Sequence, residues 1–233
     1  MESKRVTRNM DKSMRQLKVN AIAAVTAVLG LIPAAHAGFV STNTAGPGAS
    51  TINIVGNNEF KGVLDGLGVK KYTLGTSLGV DSAGSVTYWY YGKEAGYQNI
   101  FLTGNTAFAT GFTPTTQNYF NNPIKIGAFD VDSGVLDFAF CAFSGPITLQ
   151  GCVTNEANDL LGWNSNQSIA YSVAGNTAWL FWDDSGAGPD DNHDDMLIKA
   201  VFTPKAVPEP ASLGLFGLGL LGAWVVARRR KTA

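Results

Sequence analysis

Between residues 38 and 206 the apolar positions come in short runs cut by Gly, Asn and Asp. The runs are rich in β-branched and aromatic residues, which is the composition of short strands. The pattern predicts strands at 51–55, 69–74, 77–80, 85–91, 99–103, 107–110, 124–129, 135–143, 168–173, 177–182 and 196–202. Ala174-Gly175-Asn176 joins two of them as the clearest hairpin. Residues 38–50 read as a small, polar lead-in able to donate one edge strand. Residues 111–123 read as a loop, and 151–166 as irregular with one helical turn at 155–161. No amphipathic helix exceeds two turns. The prediction is an all-β domain, a two-sheet antiparallel sandwich of jelly-roll or immunoglobulin-like type.

One run differs. Ser85-Val86-Thr87-Tyr88-Trp89-Tyr90-Tyr91 is largely apolar on both faces. Val86, Tyr88 and Tyr90 share one face, and Thr87, Trp89 and Tyr91 the other. A central strand covered on both sides is predicted. A sugar-stacking platform is the alternative.

The two ends break the pattern. Lys4, Arg5, Arg8, Lys12, Arg15 and Lys18 precede an apolar stretch at 21–32, then Ala35-His36-Ala37. That order predicts a secretory signal peptide over residues 1–37, with Met1, Met10 or Met14 as start. At the other end stand Pro208-Glu209-Pro210, an uncharged apolar run at 211–227, and Arg228-Arg229-Arg230-Lys231. As a helix the run reaches roughly 25 Å, the short end of a transmembrane span. The basic cluster after it holds the C-terminus in the cytoplasm. A plain anchor fits this composition. The order of the three parts, with VPEP at 207–210, resembles the PEP-CTERM sorting signal of Gram-negative bacteria.

That resemblance covers residues 207–233 and implies a good deal about destination. It implies recognition by an exosortase-type membrane peptidase that cuts near the Pro-Glu-Pro. It implies export through the inner membrane, a transient membrane anchor, and release to the cell surface or beyond. It also implies company with extracellular polysaccharide or biofilm. It leaves open the fold of the secreted domain, residues 38–206.

Charge is read best without the two ends. Between Gly38 and Val207 there are 7 Lys, no Arg and 15 Asp plus Glu, so the body carries 7 − 15 = −8. Such a body has no footprint for nucleic acid. Cys141 and Cys152 lie in it, and in an oxidising compartment they are expected to pair; free buried thiols are the alternative.

Chemistry concentrates in the stretch from Asp183 to Asp195, with six carboxylates in thirteen residues. Like charges this close repel unless a cation neutralises them. Asp184, Asp190, Asn192, Asp194 and Asp195 are the candidate ligands, and hard oxygens suit Ca²⁺. Asp190-x-Asn192-x-Asp194 opens like a calcium loop but lacks the EF-hand glycine and glutamate. The stretch also resembles, more loosely, an acidic hairpin of exported PEP-CTERM proteins. The competing readings are a solvated acidic loop that keeps two strand ends soluble, and an Asx-turn network in which Asp side chains cap backbone amides. Asp130 and Asp132 read as a second turn. A Ser-His-Asp triad would have to use His193, the one histidine of the body, and no G-x-S-x-G accompanies it. A two-carboxylate glycosidase needs only spatial proximity, but glutamate is scarce. The expectation is a non-enzymatic envelope or matrix protein, with a calcium-dependent carbohydrate-binding module as the alternative.

Overall fold

The computed structural model describes residues 37–42, 50–94, 96–112, 116–144, 148–156, 167–184, 192–206 and 219. The expected signal peptide lies outside them, apart from Ala37. So does the apolar run at 211–227, apart from Gly219, which is helical. Among the described residues no helix is long and apolar enough to cross a membrane.

The described chain is built almost wholly of antiparallel strands. They are β1 (Phe39–Thr42), β2 (Ser50–Asn53), β3 (Lys71–Leu74), β4 (Ser77–Val80), β5 (Gly84–Lys93), β6 (Gln98–Thr103), β7 (Thr106–Ala109) and β8 (Gln117–Asn118). After them come β9 (Ile124–Val131), β10 (Gly134–Val135), β11 (Phe138–Phe143), β12 (Leu149–Thr154), β13 (Ser168–Ala174), β14 (Thr177–Asp183) and β15 (Met196–Pro204). One short helix, α1 (Lys61–Gly66), interrupts them.

The strands form three sheets where two were expected. The largest runs β2-β3-β13-β14-β15-β5-β8, with β9 also paired to β5. Facing it are a four-stranded sheet, β12-β11-β6-β7, and a three-stranded sheet, β1-β4-β10. The main core takes residues from all three: Tyr88 and Tyr90, Leu180 and Trp182 from the large sheet; Phe101, Phe138 and Phe140 from the second; Leu78 and Val80 from the third. Phe140 stacks on Trp182 at 5.4 Å between ring centroids. The small sheet is tied in by Asn155, which is fully buried. Its side chain accepts the Leu78 N–H and the Tyr171 hydroxyl, and donates to the carbonyls of Leu78 and Leu136. A buried amide so occupied holds three elements in register.

The second face of the large sheet is covered over part of its length only. Phe60 and Leu64 of the α1 segment pack there with Tyr72, Trp179, Phe181 and Leu197. The helix is six residues long, too short to stand alone, so packing rather than propensity holds it. Gly92 is required beneath it: a Cβ there would strike the Gln117 carbonyl and the Phe60 ring. The pairing of β5 with β15 slips between Tyr90 and Gly92, so Tyr91 is an extra residue. That bulge brings its ring to 4.7 Å from Trp179. The expectation that β5 is covered on both sides therefore holds on one face only: Val86, Tyr88 and Tyr90 are buried, but Thr87, Trp89 and Tyr91 are partly open.

Two further expectations change. The run 135–143 is two strands, β10 and β11. Residues 149–154, expected as irregular from Gly151 on, form strand β12 at the edge of its sheet. Only Val153 of that strand is buried, so its sequence carries no alternation to read. What fastens it is covalent. Cys141 and Cys152 face each other across β11 and β12 and are bonded.

Alkylation of the unreduced protein should label neither thiol, and labelling of both would overturn the pairing. Cys141→Ser should cost about 2–4 kcal/mol, read as a shift in the denaturant midpoint.

Candidate functional site

β14 and β15 lie side by side, and both acidic flanks of the connection between them turn inward. Asp183, Asp184, Asn192, His193, Asp194 and Asp195 are each no more than 6% exposed. The solvated loop is thus ruled out for these residues. Asp190 lies outside the described residues.

Several strands converge on the cluster. The Asp184 N–H donates to Asp195 Oδ2 at 2.7 Å, and the Asp195 N–H to the Trp182 carbonyl at 3.1 Å. Asn99 of β6 crosses from the facing sheet. Its amide donates to Asp184 Oδ2 and to the Asp195 carbonyl, and its oxygen accepts the Trp182 indole N–H. Asp194 Oδ2 accepts the Glu59 N–H at 2.6 Å, and its carbonyl accepts the Glu94 N–H. Asn58 holds the Asn192 carbonyl at 2.8 Å. Glu94, Asp194 and Asp195 place one carboxylate oxygen each within 4.8 Å of one another. Of the five candidate ligands, Asp184, Asn192, Asp194 and Asp195 are gathered here. Glu94 was not foreseen, because it arrives from the end of β5.

Lys93 is the local counter-charge. It is fully buried at the end of β5, and its ammonium donates to the carbonyls of Tyr97 and Gly111. Burial pulls its pKa down, against the opposing fields of Asp184, Asp195 and Glu94. One lysine among several carboxylates leaves an excess of negative charge. Asp195 absorbs it by holding its proton. Burial first, then the charge of Asp184, pushes its pKa from the ordinary 3.8 to about 9. The set of oxygens fits a hard cation, which would take the place of that proton.

His193 has a different setting. It is the one non-glycine residue with positive φ among the described residues, at 54°. Its Nε2 is 2.8 Å from Ser168 Oγ, and its Nδ1 is 3.7 Å from Asp183 Oδ2. The residue types are those of a nucleophilic triad. However, the Asp–His separation exceeds a hydrogen bond, and the imidazole is 1% exposed with Tyr72 packed on it at 5.2 Å. This arrangement clamps the loop end to β13.

The raised pKa of Asp195 has a signed consequence. The folded state binds a proton that the unfolded chain releases near pH 3.8, so stability falls as pH rises from there toward about 9. In EDTA the melting midpoint should drop between pH 5 and pH 9. Asp195→Asn should flatten that slope; an unchanged slope would assign it to other groups.

The sorting residues Pro208, Glu209, Pro210, Arg228, Arg229 and Arg230 lie outside the described structure. Residues 206–231, which contain them, match the family model of the PEP-CTERM protein-sorting motif. No curated protein and no solved structure matches the chain. The motif implies export and sorting to the cell surface by exosortase, a membrane protein. At its C-terminus this chain carries a PEP-CTERM sorting motif.

Proposed function

We propose that the protein is an exported, non-enzymatic β-sandwich that works at the cell surface or in the extracellular matrix by associating with polysaccharide. The motif at residues 206–231 carries this reading. The bonded pair Cys141 and Cys152 supports it, since disulfides persist in oxidising compartments. In this reading the signal peptide ends at Ala37, the apolar run 211–227 anchors the chain for a time, and an exosortase-type peptidase removes it. Intact-mass measurement of the exported form tests the route. The expected species begins at Gly38 and lacks residues 211–233. A surface species still carrying Arg228, Arg229 and Arg230 would leave a plain membrane anchor in place of a sorting signal.

The convergence of Glu94, Asp194 and Asp195 favours a second reading, in which Ca²⁺ is part of the folded protein and glycan binding depends on it. An ion that binds only the folded state stabilises it by RT ln(1 + [L]/Kd). At 100-fold excess over Kd this is about 2.7 kcal/mol, or roughly 2–4 °C in midpoint. Extracellular sites have Kd on the order of 10⁻⁴–10⁻³ M, so millimolar Ca²⁺ is the relevant range. Mg²⁺ should do less, because it demands a tighter octahedral shell. Melts of the full chain in EDTA, Ca²⁺ and Mg²⁺ should show the Ca²⁺ shift, and Glu94→Gln with Asp194→Asn should remove it. Equal midpoints in EDTA and in millimolar Ca²⁺ would overturn the calcium reading and leave the charge to be balanced within the fold, by Lys93 and the Asp195 proton among the described residues.

A further inference from the structure

The large sheet's second face carries an ordered row of side chains that starts at buried Trp179 and runs out onto the open part. Residues opposite one another in an antiparallel sheet share a face. Trp179 of β14 is paired with Lys199 of β15, Lys199 with Trp89 of β5, and Trp89 with Lys125 of β9. The row thus alternates ring, cation, ring, cation over four adjacent strands. Three strand spacings of ~4.8 Å make it roughly 14 Å wide. The Lys199 ammonium stands 5.4 Å from the centre of the Trp179 ring and 6.0 Å from that of Tyr91. The Lys125 ammonium stands 5.8 Å from that of Trp89.

The charge of this row is out of keeping with the rest of the body. Seven lysines stand against fifteen acidic residues between Gly38 and Val207. Lys93 is buried, and Lys61 is spent on Asp65 at 2.6 Å. Neither Lys125 nor Lys199 meets a carboxylate within 4.0 Å among the described residues. Both hold only aromatic faces, which bind an ammonium weakly and leave its field available to an anion. The nearest acid on the same face of β9, Asp130, is paired with Ser85, four residues along β5 from Trp89 and so about 13 Å away.

We propose that Lys199, Trp89 and Lys125 form a binding platform for a carboxylated polysaccharide, with buried Trp179 supporting the Lys199 ammonium from beneath. The proposal rests on the polysaccharide reading above and names its site and ligand class. A sugar ring presents C–H bonds on its flat face, and these pack on the electron-rich face of an indole. Its carboxylates, projecting from the ring edge, reach the flanking ammonium groups in charge-assisted hydrogen bonds. The two lysines stand two strand spacings, about 10 Å, apart, which suits a polymer with its carboxylates set one or more sugar rings apart. A polyphosphate backbone of high charge density would meet the repulsion of a body carrying −8.

Affinity electrophoresis of the full chain through polygalacturonate, dextran and polyglutamate tests this. Polygalacturonate should retard the protein; dextran, lacking charge, and polyglutamate, lacking rings, should retard it far less. Lys125→Ala with Lys199→Ala, both on a solvent-facing surface, should weaken polygalacturonate binding at least tenfold with an unchanged melt. Trp89→Ala should do the same, and Trp89→Phe should keep part of the binding. Added salt should weaken the wild type more than the double-lysine variant. Binding of polygalacturonate unaltered in the double-lysine variant would overturn the platform and leave the polysaccharide reading standing, as would retention by dextran alone. Equal retention by polyglutamate would reduce the row to non-specific charge attraction and overturn it. Binding to no glycan would overturn both readings.

Discussion

Taking carboxylates out of water is the constraint that the rest of this fold serves. Asp184, Asp194 and Asp195 are each no more than 6% exposed. An ionised carboxylate loses several kcal/mol of hydration on burial unless hydrogen bonds and opposite charge replace the water. The chain meets the cost with four separate segments. Asn58 and Glu59 come from the turn before α1, Lys93 and Glu94 from the end of β5, Asn99 from the start of β6, and Trp182 from β14. Asn99 matters most, because it binds Asp184, the Asp195 carbonyl and Trp182 at once and belongs to the opposite layer. The acidic knot therefore helps to fix how the two layers meet at this end of the sandwich.

At the centre of the large sheet, β5 divides the molecule's roles between its two faces. Its inward residues Val86, Tyr88 and Tyr90 lie in the main core, where Tyr88 sits 5.0 Å from Phe101 and Tyr90 4.9 Å from Phe108. Its outward residues cannot all be covered, because α1 is too short to reach beyond Tyr91 and Trp179. The bulge at Tyr91 marks that boundary. Beyond it Trp89 stays partly open, flanked by lysines. The same strand ends in Lys93, with Glu94 next to it, inside the acidic knot. A single ten-residue strand thus spans core, open face and charged cluster.

How far the sequence revealed this depends on whether the signal was local. β13, β14 and β15 were legible because their runs are β-branched and aromatic and the first two are joined by Gly175-Asn176, a hairpin turn with Gly175 at φ 58°. β12 was not, because an edge strand held by a disulfide needs little apolar surface. α1 was not, because six residues with two glycines have no helical signal of their own. The acidic cluster was visible as a run of like charge. Its burial was not, because composition reads acid as solvent-facing. The residues that make burial tolerable arrive from far along the chain: Asn99 lies 85 positions from Asp184, and Asn58 lies 134 from Asn192. Contacts of that range leave no mark on local periodicity.

The two charged features of the body differ in how they are balanced, and that difference bears on what each can do. In the acidic knot the balance is internal. Lys93 supplies one positive charge, Asp195 keeps a proton, and backbone N–H groups from Glu59 and Asp184 complete the shell. A cation among these oxygens would compete with the proton that burial favours on Asp195, so its binding would oppose acid and be linked to folding. On the open face the balance is left to the outside. Among the described residues Lys125 and Lys199 have aromatic neighbours and no acid within 4.0 Å, so an anionic ligand gains their attraction without breaking an ion pair there. A group already satisfied within the fold contributes stability; a group satisfied only by a partner contributes recognition. On that distinction the knot belongs to the architecture of the sandwich, with or without an ion, and the lysine row belongs to its surface chemistry.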